Sequence, residues 1–327
     1  MKNILITGGA GYVGSHIAEL LIKKKFKVFI IDNLSTGYKK LICKNSKFYL
    51  CNINNYKKVN SIITKNNIDS IIHCAAKLSV EESQKKPKIY FKNNVTGTLK
   101  LINACKNTSV KNFIFSSTCA VYGSKLRVVK ETSPILPESN YGKTKYKAEL
   151  LIKNKLKNIN YCILRYFNVV GASKSGKLGQ INSNGQLFKN LAIQSLKKKP
   201  KINIFGKNYR TYDGTCIRDY IHVSDLADIH LKALVKINKQ CKSIILNCGY
   251  GKGYSVLQII KNFEKISKKN FLINLCSKRK GDITEIISNT NKLSKYLKWR
   301  PKYSNLLLAV KSAIQWEKKI KRIIYLS

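Results

Sequence analysis

A tyrosine and a lysine on one predicted helix are the residues whose spacing most clearly suggests chemistry. Tyr141 and Lys145 are four residues apart, so both side chains project from the same helix face. A phenol has a pKa of about 10, and ionising it at pH 7 costs about 4 kcal/mol. A neighbouring ammonium group stabilises the phenolate, so this pair is a candidate general base. The same spacing also arises by chance on helices with only a structural role.

A hydroxyl residue that could assist this base ends a predicted strand. The apolar run 110–118 ends in Ser116, Ser117 and Thr118, and Tyr141 follows 23 residues after Thr118. In open α/β sheets the carboxyl ends of the strands face the ligand crevice. We therefore predict that Thr118 relays a proton between a substrate and Tyr141.

A glycine-rich turn near the start of the chain predicts where a cofactor binds. Gly8, Gly11 and Gly14 follow the apolar strand 3–7 and begin a stretch with helical periodicity. A strand, a glycine turn and a helix in this order place a dinucleotide pyrophosphate on the helix N-terminus, where free N–H groups favour an anion. Because glycine-rich turns also end strands for structural reasons, this pattern alone leaves both interpretations open.

A second predicted strand supplies the residue that distinguishes the cofactor. The run 27–31 ends in Asp32, whose carboxylate is expected to bind the hydroxyl groups of an adenosine ribose. The residues from Asn33 to Gly37 include no basic side chain that could receive a 2′-phosphate. The sequence therefore favours NAD over NADP.

Alternating strands and helices predict the architecture that positions these residues. Besides the first two strands, the hydrophobic patterns predict strands at 47–53, 68–76, 110–118 and 160–171, and helices at 55–66, 88–107 and 141–157. Repeated β-α-β units of this kind predict an α/β fold, a Rossmann-like doubly wound parallel sheet with a smaller mixed C-terminal substrate-binding domain.

The predicted domain boundary lies near residue 172, where a loop rich in glycine, asparagine and lysine runs to Gly185. Residues 1–172 form the predicted NAD-binding Rossmann domain, and residues 173–327 form the predicted substrate domain. The segment at about 219–234 could return to pack on the first domain. Short strands of the second domain are expected at 201–205, 243–248 and 271–275.

The net charge of the chain is unusually high. Its 327 residues include 62 basic and 16 acidic residues, for a net charge of +46, which ordinarily suggests nucleic acid or an anionic surface. The lysines are spread along the whole chain, however, and only seven basic residues are arginines, which nucleic-acid interfaces favour. We attribute the charge to the A/T-rich codons of lysine and expect no specific nucleic-acid partner. Arg165, Arg218 and Arg279 then mark candidate positions that need a guanidinium.

The ten cysteines and four histidines show no metal-site or disulfide pattern. No two cysteines have C-x-x-C spacing, and several lie in predicted buried strands, so they are interpreted as reduced core thiols. The histidines also lack metal-ligand spacing, and no metal is predicted. No uncharged apolar run reaches the roughly 18 residues of a membrane helix, and no signal segment precedes the first strand. The expected location is cytoplasmic, without a membrane partner.

Several of these motifs together resemble one enzyme superfamily. The glycine turn, the strand end at 116–118 and the Tyr141–Lys145 pair are similar to those of the extended short-chain dehydrogenase/reductase superfamily. Within it the resemblance is to the UDP-glucose 4-epimerase family and extends over essentially the whole chain. The blocks that carry it are 7–16, 32–34, 93–98, 164–168 and 213–223, of which the last is the most specific.

The resemblance implies an isomerase that interconverts UDP-galactose and UDP-glucose with tightly held NAD. Tyr141 as phenolate would remove the proton of the sugar 4-hydroxyl, assisted by Thr118, while a hydride passes from C4 to NAD. The 4-keto sugar would then turn about its link to the diphosphate and receive the hydride on its other face. Sugar dehydratases carry an acidic pair after this threonine, whereas Cys119 and Ala120 stand here, which argues against elimination.

The resemblance also implies roles for individual residues and an assembly. The implied catalytic residues are Tyr141, Lys145 and Thr118. The implied cofactor-binding residues are Gly8, Gly11, Tyr12, Val13, Gly14, Asp32, Asn33, Asn52, Ile53, Asn93, Tyr141 and Lys145. The implied residues for the UDP-sugar are Thr118, Tyr141, Asn168, Phe205, Arg218, Arg279 and Asp282. Family members form homodimers through helices that correspond to about 90–107 and 142–157.

Three departures from the family pattern concern the cofactor and the substrate. Asn52 stands where the family usually has an aspartate that contacts the adenine amine, so weaker NAD binding is expected. Lys77 and Leu78 place a lysine one position earlier than usual, and Lys189 replaces a frequent proline of the substrate loop. None of these departures removes a catalytic group.

Two alternatives remain open on the sequence. One is a 4-epimerase that acts also or mainly on N-acetylated UDP-sugars such as UDP-N-acetylglucosamine. In the family, the residue four positions after the aspartate of Arg-x-Gly-Asp lines the space beside the sugar 2-substituent, and here it is Ile286, which is smaller than the excluding tyrosine. The other is a non-catalytic fold that binds RNA, against which the joint presence of Thr118, Tyr141 and Lys145 argues.

Overall fold

The computed structural model describes residues 2–182, 186–279 and 282–324. The strands are β1 (Asn3–Thr7), β2 (Lys27–Asp32), β3 (Ser46–Leu50), β4 (Ser70–His73), β5 (Asn112–Thr118), β6 (Val128–Val129), β7 (Asn160–Tyr166), β8 (Asn168–Val170), β9 (Lys201–Phe205), β10 (Ile217–His222), β11 (Ile244–Cys248), β12 (Gly253–Ser255), β13 (Leu272–Cys276) and β14 (Glu285–Ser288). The helices are α1 (Tyr12–Lys23), α2 (Tyr56–Lys65), α3 (Val80–Lys85), α4 (Pro87–Phe91), α5 (Gly97–Ala104), α6 (Asn140–Lys155), α7 (Leu187–Gln194), α8 (Val223–Gln240), α9 (Val256–Ser267), α10 (Asn291–Leu297) and α11 (Leu306–Ile324).

A seven-stranded sheet forms the main layer. Its order is β3-β2-β1-β4-β5-β7-β11, and all neighbouring strands are parallel. The order reverses between β1 and β4, so the connections leave in opposite directions and open a crevice at the carboxyl ends of the strands. The predicted α/β class, with a Rossmann-like doubly wound sheet, is confirmed.

Helices cover both faces of this sheet because its strands are apolar on both sides. Ile4, Leu5 and Ile6 of β1 are fully buried. Ile4 and Ile6 belong to a core shared with α1 and α8, whereas Leu5 belongs to a core shared with α2, α5 and α6. Successive strand residues point to opposite faces, so one short strand contributes to both cores.

The predicted helix at 88–107 is interrupted. It consists of α4, a π-helical turn at Lys92–Thr96, and α5. Asn94 in this turn accepts a hydrogen bond from the Lys77 N–H (2.9 Å) and donates one to the Lys77 carbonyl (3.0 Å). The turn therefore ties the helical segment to the loop after β4, and π-turns are frequent at functional sites.

The apolar run at 160–171, expected to form one strand, forms two. β7 pairs with β5 and β11 in the main sheet, whereas β8 pairs with β10 in a second sheet. Phe167 lies between them and is itself buried. Because both strands are apolar, hydrophobicity could not show that the chain passes from one sheet to the other at this residue.

The second half of the chain builds two smaller sheets and one strand of the main sheet. The smaller sheets are β12-β10-β14-β6, with β8 beside β10, and the pair β9-β13. The strand expected at 243–248 in the C-terminal domain is β11, which pairs with β7 at the edge of the main sheet. α8, which precedes it, packs against α1. Segments after residue 172 thus complete the first layer, and the domain boundary at 172 stays a prediction.

The described ranges contain neither a membrane-spanning helix nor a metal-ligand cluster. None of the helices there is both long and apolar enough to cross a membrane. The same ranges contain no group of three or more His, Cys, Asp and Glu side chains that could hold a metal ion. The end of the predicted loop, including Gly185, lies outside the described residues.

The four buried histidines predict loss of stability in mild acid. Burial lowers the pKa of His16, His222 and His230 to about 4 and that of His73 to about 3. In the unfolded chain each histidine has a pKa of about 6.5. Below that pH the unfolded chain therefore binds more protons than the folded chain. The free energy of unfolding should therefore fall from pH 7.5 to 5.5, by about 1 kcal/mol per histidine.

Urea unfolding followed by tryptophan fluorescence at these two pH values measures this change. The variant His230→Gln serves as the comparison, because it removes one titrating group. The fall in its free energy of unfolding between the two pH values should be smaller by the contribution of one histidine. An unfolding midpoint that is the same at both pH values would contradict the prediction.

Candidate active site

One large cleft lies at the carboxyl edge of the main sheet, between this sheet and the smaller sheets. Its volume is about 2010 Å³. Every residue of the implied catalytic, cofactor-binding and UDP-sugar-binding sets contributes to its lining, although the individual roles stay predictions. These residues are Gly8, Gly11, Tyr12, Val13, Gly14, Asp32, Asn33, Asn52, Ile53, Asn93, Thr118, Tyr141, Lys145, Asn168, Phe205, Arg218, Arg279 and Asp282.

The glycine turn fits a pyrophosphate because its backbone lies close to neighbouring main chain. Gly8 has a φ of +73°, and a Cβ there would lie 2.6 Å from the Ala75 nitrogen. A Cβ at Gly14 would lie 2.3 Å from the Gly8 carbonyl oxygen. Only glycine fits both positions without a shift, so the first turn of α1 closes tightly on the end of β1. The residues of that turn, Gly11 to Gly14, line the cleft, and the unpaired N–H groups of a helix N-terminus favour an anion.

Asp32 ends β2 at the position expected for the ribose contact. Its carboxylate accepts hydrogen bonds from the Ala10 N–H (3.0 Å) and the Leu34 N–H (2.8 Å), which fix its orientation. Burial raises its pKa, whereas these backbone hydrogen bonds lower it. A carboxylate held in this way retains lone pairs for two hydroxyl groups, so the site fits a dinucleotide with an unmodified adenosine ribose.

Asn52, the departure at the adenine contact, lies at the cleft and is exposed. Its side-chain oxygen accepts hydrogen bonds from the Asn54 N–H (2.9 Å) and the Asn54 side-chain amide (3.1 Å). An amide oxygen that already serves two donors is a weaker acceptor for an adenine amine than a free carboxylate. This geometry is consistent with the expected weakening of NAD binding.

Tyr141 lies in the first turn of α6, whose N-terminus is held by two serines. Ser139 accepts a hydrogen bond from the Gly142 N–H (3.1 Å), and Ser83 of α3 accepts one from the Tyr141 N–H (3.1 Å). These bonds satisfy N–H groups that have no partner within the helix. The backbone of the tyrosine is therefore fixed from both its own helix and a neighbouring one.

Lys145 follows one helical turn later and is almost fully buried, at 2% exposure. Its Nζ lies 4.2 Å from the centroid of the Phe115 ring, a cation–π contact. Burial lowers its pKa to about 8, and the neighbouring Glu149 carboxylate acts in the opposite direction. At pH 7 the ammonium form still predominates, as its predicted role requires.

The pKa of Tyr141 is raised, whereas its spacing from Lys145 predicts a lowered pKa. Burial raises its pKa, and the hydrogen bond with Thr118 lowers it only in part. The surrounding protein groups alone therefore do not make the phenol acidic. Thr118 lies at the end of β5, where its hydroxyl accepts a hydrogen bond from the Ala120 N–H (3.2 Å) and keeps its orientation. A positive ring next to this buried phenol is the kind of partner that stabilises the phenolate.

Two arginines and an aspartate form a charged part of the cleft wall. Arg218 of β10 donates hydrogen bonds to the carbonyl oxygens of Ile217 (2.9 Å) and Thr284 (3.3 Å). Burial raises the pKa of Asp282, and the charges of Arg218 and Arg279 lower it. Lys280 and Gly281, the two central residues of the Arg-x-Gly-Asp motif, lie outside the described residues. Two guanidinium groups at one wall suit a diphosphate.

Two further predicted substrate residues lie beside these charges. The guanidinium carbon of Arg279 lies 3.7 Å from the centroid of the Phe205 ring, a stacked cation–π contact. Asn168 of β8 is paired with Tyr220 of β10, two residues after Arg218. Because strand residues two apart share a face, the pairing brings Asn168 and Arg218 to the same side of the second sheet.

Ile286, on which the alternative substrate depends, lies in β14 and is 1% exposed. It packs with Val121, Tyr122, Val129 and Phe167. Among the described residues that line the cleft, Phe167 is present and Ile286 is not. The structure therefore does not support the expectation that Ile286 borders the sugar 2-substituent, which stays a prediction.

Sequence reasoning missed one wall of the cleft. This wall includes Tyr38, Asn182, Asn190 and Asn203. The Asn182 amide donates a hydrogen bond to the Thr36 carbonyl (2.9 Å), and its oxygen accepts one from the Tyr38 hydroxyl. These contacts join the loop after β8 to the loop after β2. The loop after β8 has no periodic pattern, so no signal in the sequence could have placed it there.

Comparisons with known proteins agree with this geometry. Residues 4–249 match the model of the NAD dependent epimerase/dehydratase family. A UDP-glucose 4-epimerase from Azospirillum brasilense is 35% identical over 98% of this chain and 93% of its own length. The structure of UDP-glucose-4-epimerase from Stenotrophomonas maltophila with bound NAD and formylated UDP-arabinopyranose has a TM-score of 0.94 and 32% identity, covering 99% of this chain and 100% of that chain. The structure of the UDP-Glc/GlcNAc 4-epimerase from Campylobacter jejuni has a TM-score of 0.84 and 39% identity. This match covers 98% of this chain and 100% of that chain.

Proposed function

Because the chain belongs to the NAD dependent epimerase/dehydratase family and acts as an NAD-dependent UDP-glucose 4-epimerase, we propose that Tyr141, Lys145 and Thr118 carry its chemistry. One observation carries the proposal. The buried phenol and ammonium of α6 and the hydroxyl at the end of β5 line the same cleft as the glycine turn and Asp32. A site for proton transfer is thus combined with a site that fits NAD.

The reaction interconverts UDP-galactose and UDP-glucose at the sugar C4. When bound, NAD accepts a hydride from C4 and returns it. Tyr141 as phenolate takes the proton of the 4-hydroxyl, and Thr118 relays it through its own hydroxyl. Lys145 binds the nicotinamide ribose, and its charge favours the phenolate. The 4-keto sugar would turn about its link to the diphosphate and take the hydride back at C4 on its other face, while Tyr141 would return the proton to the C4 oxygen, so no net oxidation occurs.

The remaining lining residues hold the two ligands. On the cofactor side, the proposed contacts are Gly8, Gly11, Tyr12, Val13, Gly14, Asp32, Asn33, Asn52, Ile53 and Asn93. On the substrate side, Arg218 and Arg279 bind the diphosphate with bidentate geometry. Asp282 contacts the uridine ribose, Phe205 lies beside the uracil, and Asn168 contacts the diphosphate or the sugar.

An assay without added cofactor tests this function. We expect NAD to copurify with the protein, because a redox-neutral cycle gains nothing from releasing it. Addition of UDP-galactose alone should then produce UDP-glucose, and a small absorbance in the reduced-nicotinamide band should appear during turnover. A reaction that required and consumed stoichiometric added NAD would contradict the proposal and indicate an ordinary dehydrogenase.

The alternative specificity for N-acetylated UDP-sugars is not favoured. Its argument rested on Ile286, which is buried in an apolar cluster with Phe167 and is not among the described residues that line the cleft. One solved relative is a UDP-Glc/GlcNAc 4-epimerase, but the described residues of the cleft supply no independent argument for an acetyl group.

We propose that the chain forms a homodimer through α5 and α6, together with the adjoining α4. Ile89 and Phe91 on α4 are 47% and 44% exposed, and Leu150 on α6 is 37% exposed. Light scattering should give the mass of two chains, and Phe91→Asp combined with Leu150→Asp should give one. The control Leu272→Asp changes a leucine of β13 that is 56% exposed and lies outside these helices, so it should keep the dimer mass. A monomeric parent protein would contradict the proposal.

We further propose a cytoplasmic location and a division of labour along the chain. All ten cysteines are free thiols, as expected in a reducing compartment. Residues 1–172 bind NAD and also contribute Thr118, Tyr141 and Asn168 to the substrate site, whereas residues 173–327 supply the other contacts to the UDP-sugar. The later segments α8 and β11 complete the first layer.

A further inference from the structure

A buried carboxylate on the helix of Tyr141 and Lys145 has no contact assigned above with the substrate or the cofactor. Glu149 lies one turn beyond Lys145 on α6 and has no exposed surface. It accepts hydrogen bonds from Nε (3.0 Å) and Nη2 (2.7 Å) of Arg165, which is 1% exposed. It also accepts one from the Ser117 hydroxyl (2.5 Å). Three charge-assisted bonds therefore meet at a single carboxylate.

These three residues belong to three different elements of the catalytic region. Ser117 lies on β5 directly before Thr118, Arg165 lies on β7, and Glu149 lies on α6. β5 and β7 are neighbours in the main sheet, with Ser117 paired to Arg165. The carboxylate thus joins the helix that carries the base to the strand that carries the proton relay.

We propose that Glu149, Arg165 and Ser117 are positioning residues that set the placement of Tyr141 and Lys145 relative to Thr118. They do not touch the substrate and act through the two elements that they join. The inference rests on the proposed roles of Tyr141, Lys145 and Thr118. Proton transfer requires hydrogen-bond distance in the reacting complex, so a small displacement of α6 from β5 is expected to slow the reaction without preventing substrate binding.

The identity of Arg165 supports a geometric role rather than a simple charge. Only seven of the 62 basic residues of the chain are arginines, so lysine stands at most positions where a positive charge suffices. Only a guanidinium can donate two parallel bonds to one carboxylate in a fixed plane. Arg165 also donates to the Tyr122 hydroxyl (2.9 Å), which in turn donates to the Asn247 side-chain oxygen (2.6 Å). Its plane is therefore held on more than one side.

A general contribution to stability is a weaker explanation. Buried ion pairs can often be replaced by apolar residues of similar volume with little loss of stability. The chain contains a second pair of this kind, Lys189 with Glu317, whose side chains are only 5% and 7% exposed. That pair joins α7 to α11 and makes no bond to β5 or α6. It offers a matched comparison for the effect of losing a buried carboxylate alone.

The first experiment compares Glu149→Gln with Glu317→Gln in steady-state assays with UDP-galactose. For Glu149→Gln we expect kcat to fall by more than about fivefold, with KM for the substrate within about threefold of the parent value. For Glu317→Gln we expect kcat to change by less than about fivefold. An equal loss of kcat in both variants, or a loss that falls on KM instead of kcat, would overturn the proposal.

A second variant is needed if Glu149→Gln does not fold because it leaves the buried charge of Arg165 without a partner. Glu149→Leu combined with Arg165→Met removes both charges at similar volume, so it should fold with a Tm close to that of the parent protein. If it folds and keeps kcat within about fivefold of the parent, the proposal is wrong. If the parent enzyme shows no epimerisation, the proposed function is contradicted. If the parent is active and the double variant is equally active, only the positioning role is contradicted.

Discussion

Replacing Tyr141 with phenylalanine is expected to lower kcat by about three orders of magnitude or more, with KM for UDP-galactose nearly unchanged. The phenylalanine keeps the ring and its packing but has no oxygen to accept the proton of the 4-hydroxyl. The phenolate acts mainly in the transition state, so its loss affects kcat rather than binding. Steady-state kinetics with coupled detection of UDP-glucose measures both constants.

Two variants serve as comparisons for this result. Tyr146→Phe removes the hydroxyl of another tyrosine on α6, which packs on an apolar cluster, and should leave kcat within about threefold. Thr118→Ala should have an intermediate effect, because Thr118 assists the base and is not the base itself. Near-parental turnover by Tyr141→Phe would exclude the assigned role.

Gly14→Ala is expected to abolish copurification of NAD and, with it, activity in the absence of added cofactor. The new Cβ would lie 2.3 Å from the Gly8 carbonyl oxygen and 2.9 Å from the Gly9 Cα. Both are backbone atoms of the turn, so they cannot move aside as a flexible side chain would. α1 must therefore shift away from the turn, and the N–H groups that would bind the pyrophosphate shift with it.

The cofactor content of the purified variant measures this effect after release of NAD by acid. Gly176→Ala is the control, because Gly176 also has a positive φ, of +62°, yet its Cβ would come no closer than 3.7 Å to the Lys319 side chain. That variant should carry some backbone strain and retain its NAD. A Gly14→Ala protein with a full complement of NAD would show that the turn does not bind the pyrophosphate.

Much of the fold and of the cofactor site could be predicted because its signals are local. The strand before Gly8, the strand before Asp32 and the spacing of Tyr141 and Lys145 each lie within one short segment. Local segments determine which element forms and which residues share its face. The crossover rule for parallel strands then brings their carboxyl ends to one edge, so residues far apart in sequence could be assigned to one cleft.

The sequence indicated the position of Glu149 on its helix but not the residues with which it pairs. Its spacing of four residues from Lys145 and eight from Tyr141 places it on the same face of α6. The sequence also marked Arg165 as a position that needs a guanidinium. It could not show that these two residues and Ser117 meet, because their pairing depends on how α6 lies on β5 and β7.

The sequence by itself determined the alternation of strands and helices in the first half of the chain, the glycine turn, the tyrosine–lysine pair and the family to which they belong. Only the tertiary structure decided that the run at 160–171 divides at Phe167 between two sheets, that β11 joins the main sheet, and that Ile286 is buried against Phe167. An apolar strand shows by its pattern that it is buried, but not against which partner. Partners are selected by packing between segments distant in sequence, and the shape of a substrate pocket depends on those choices.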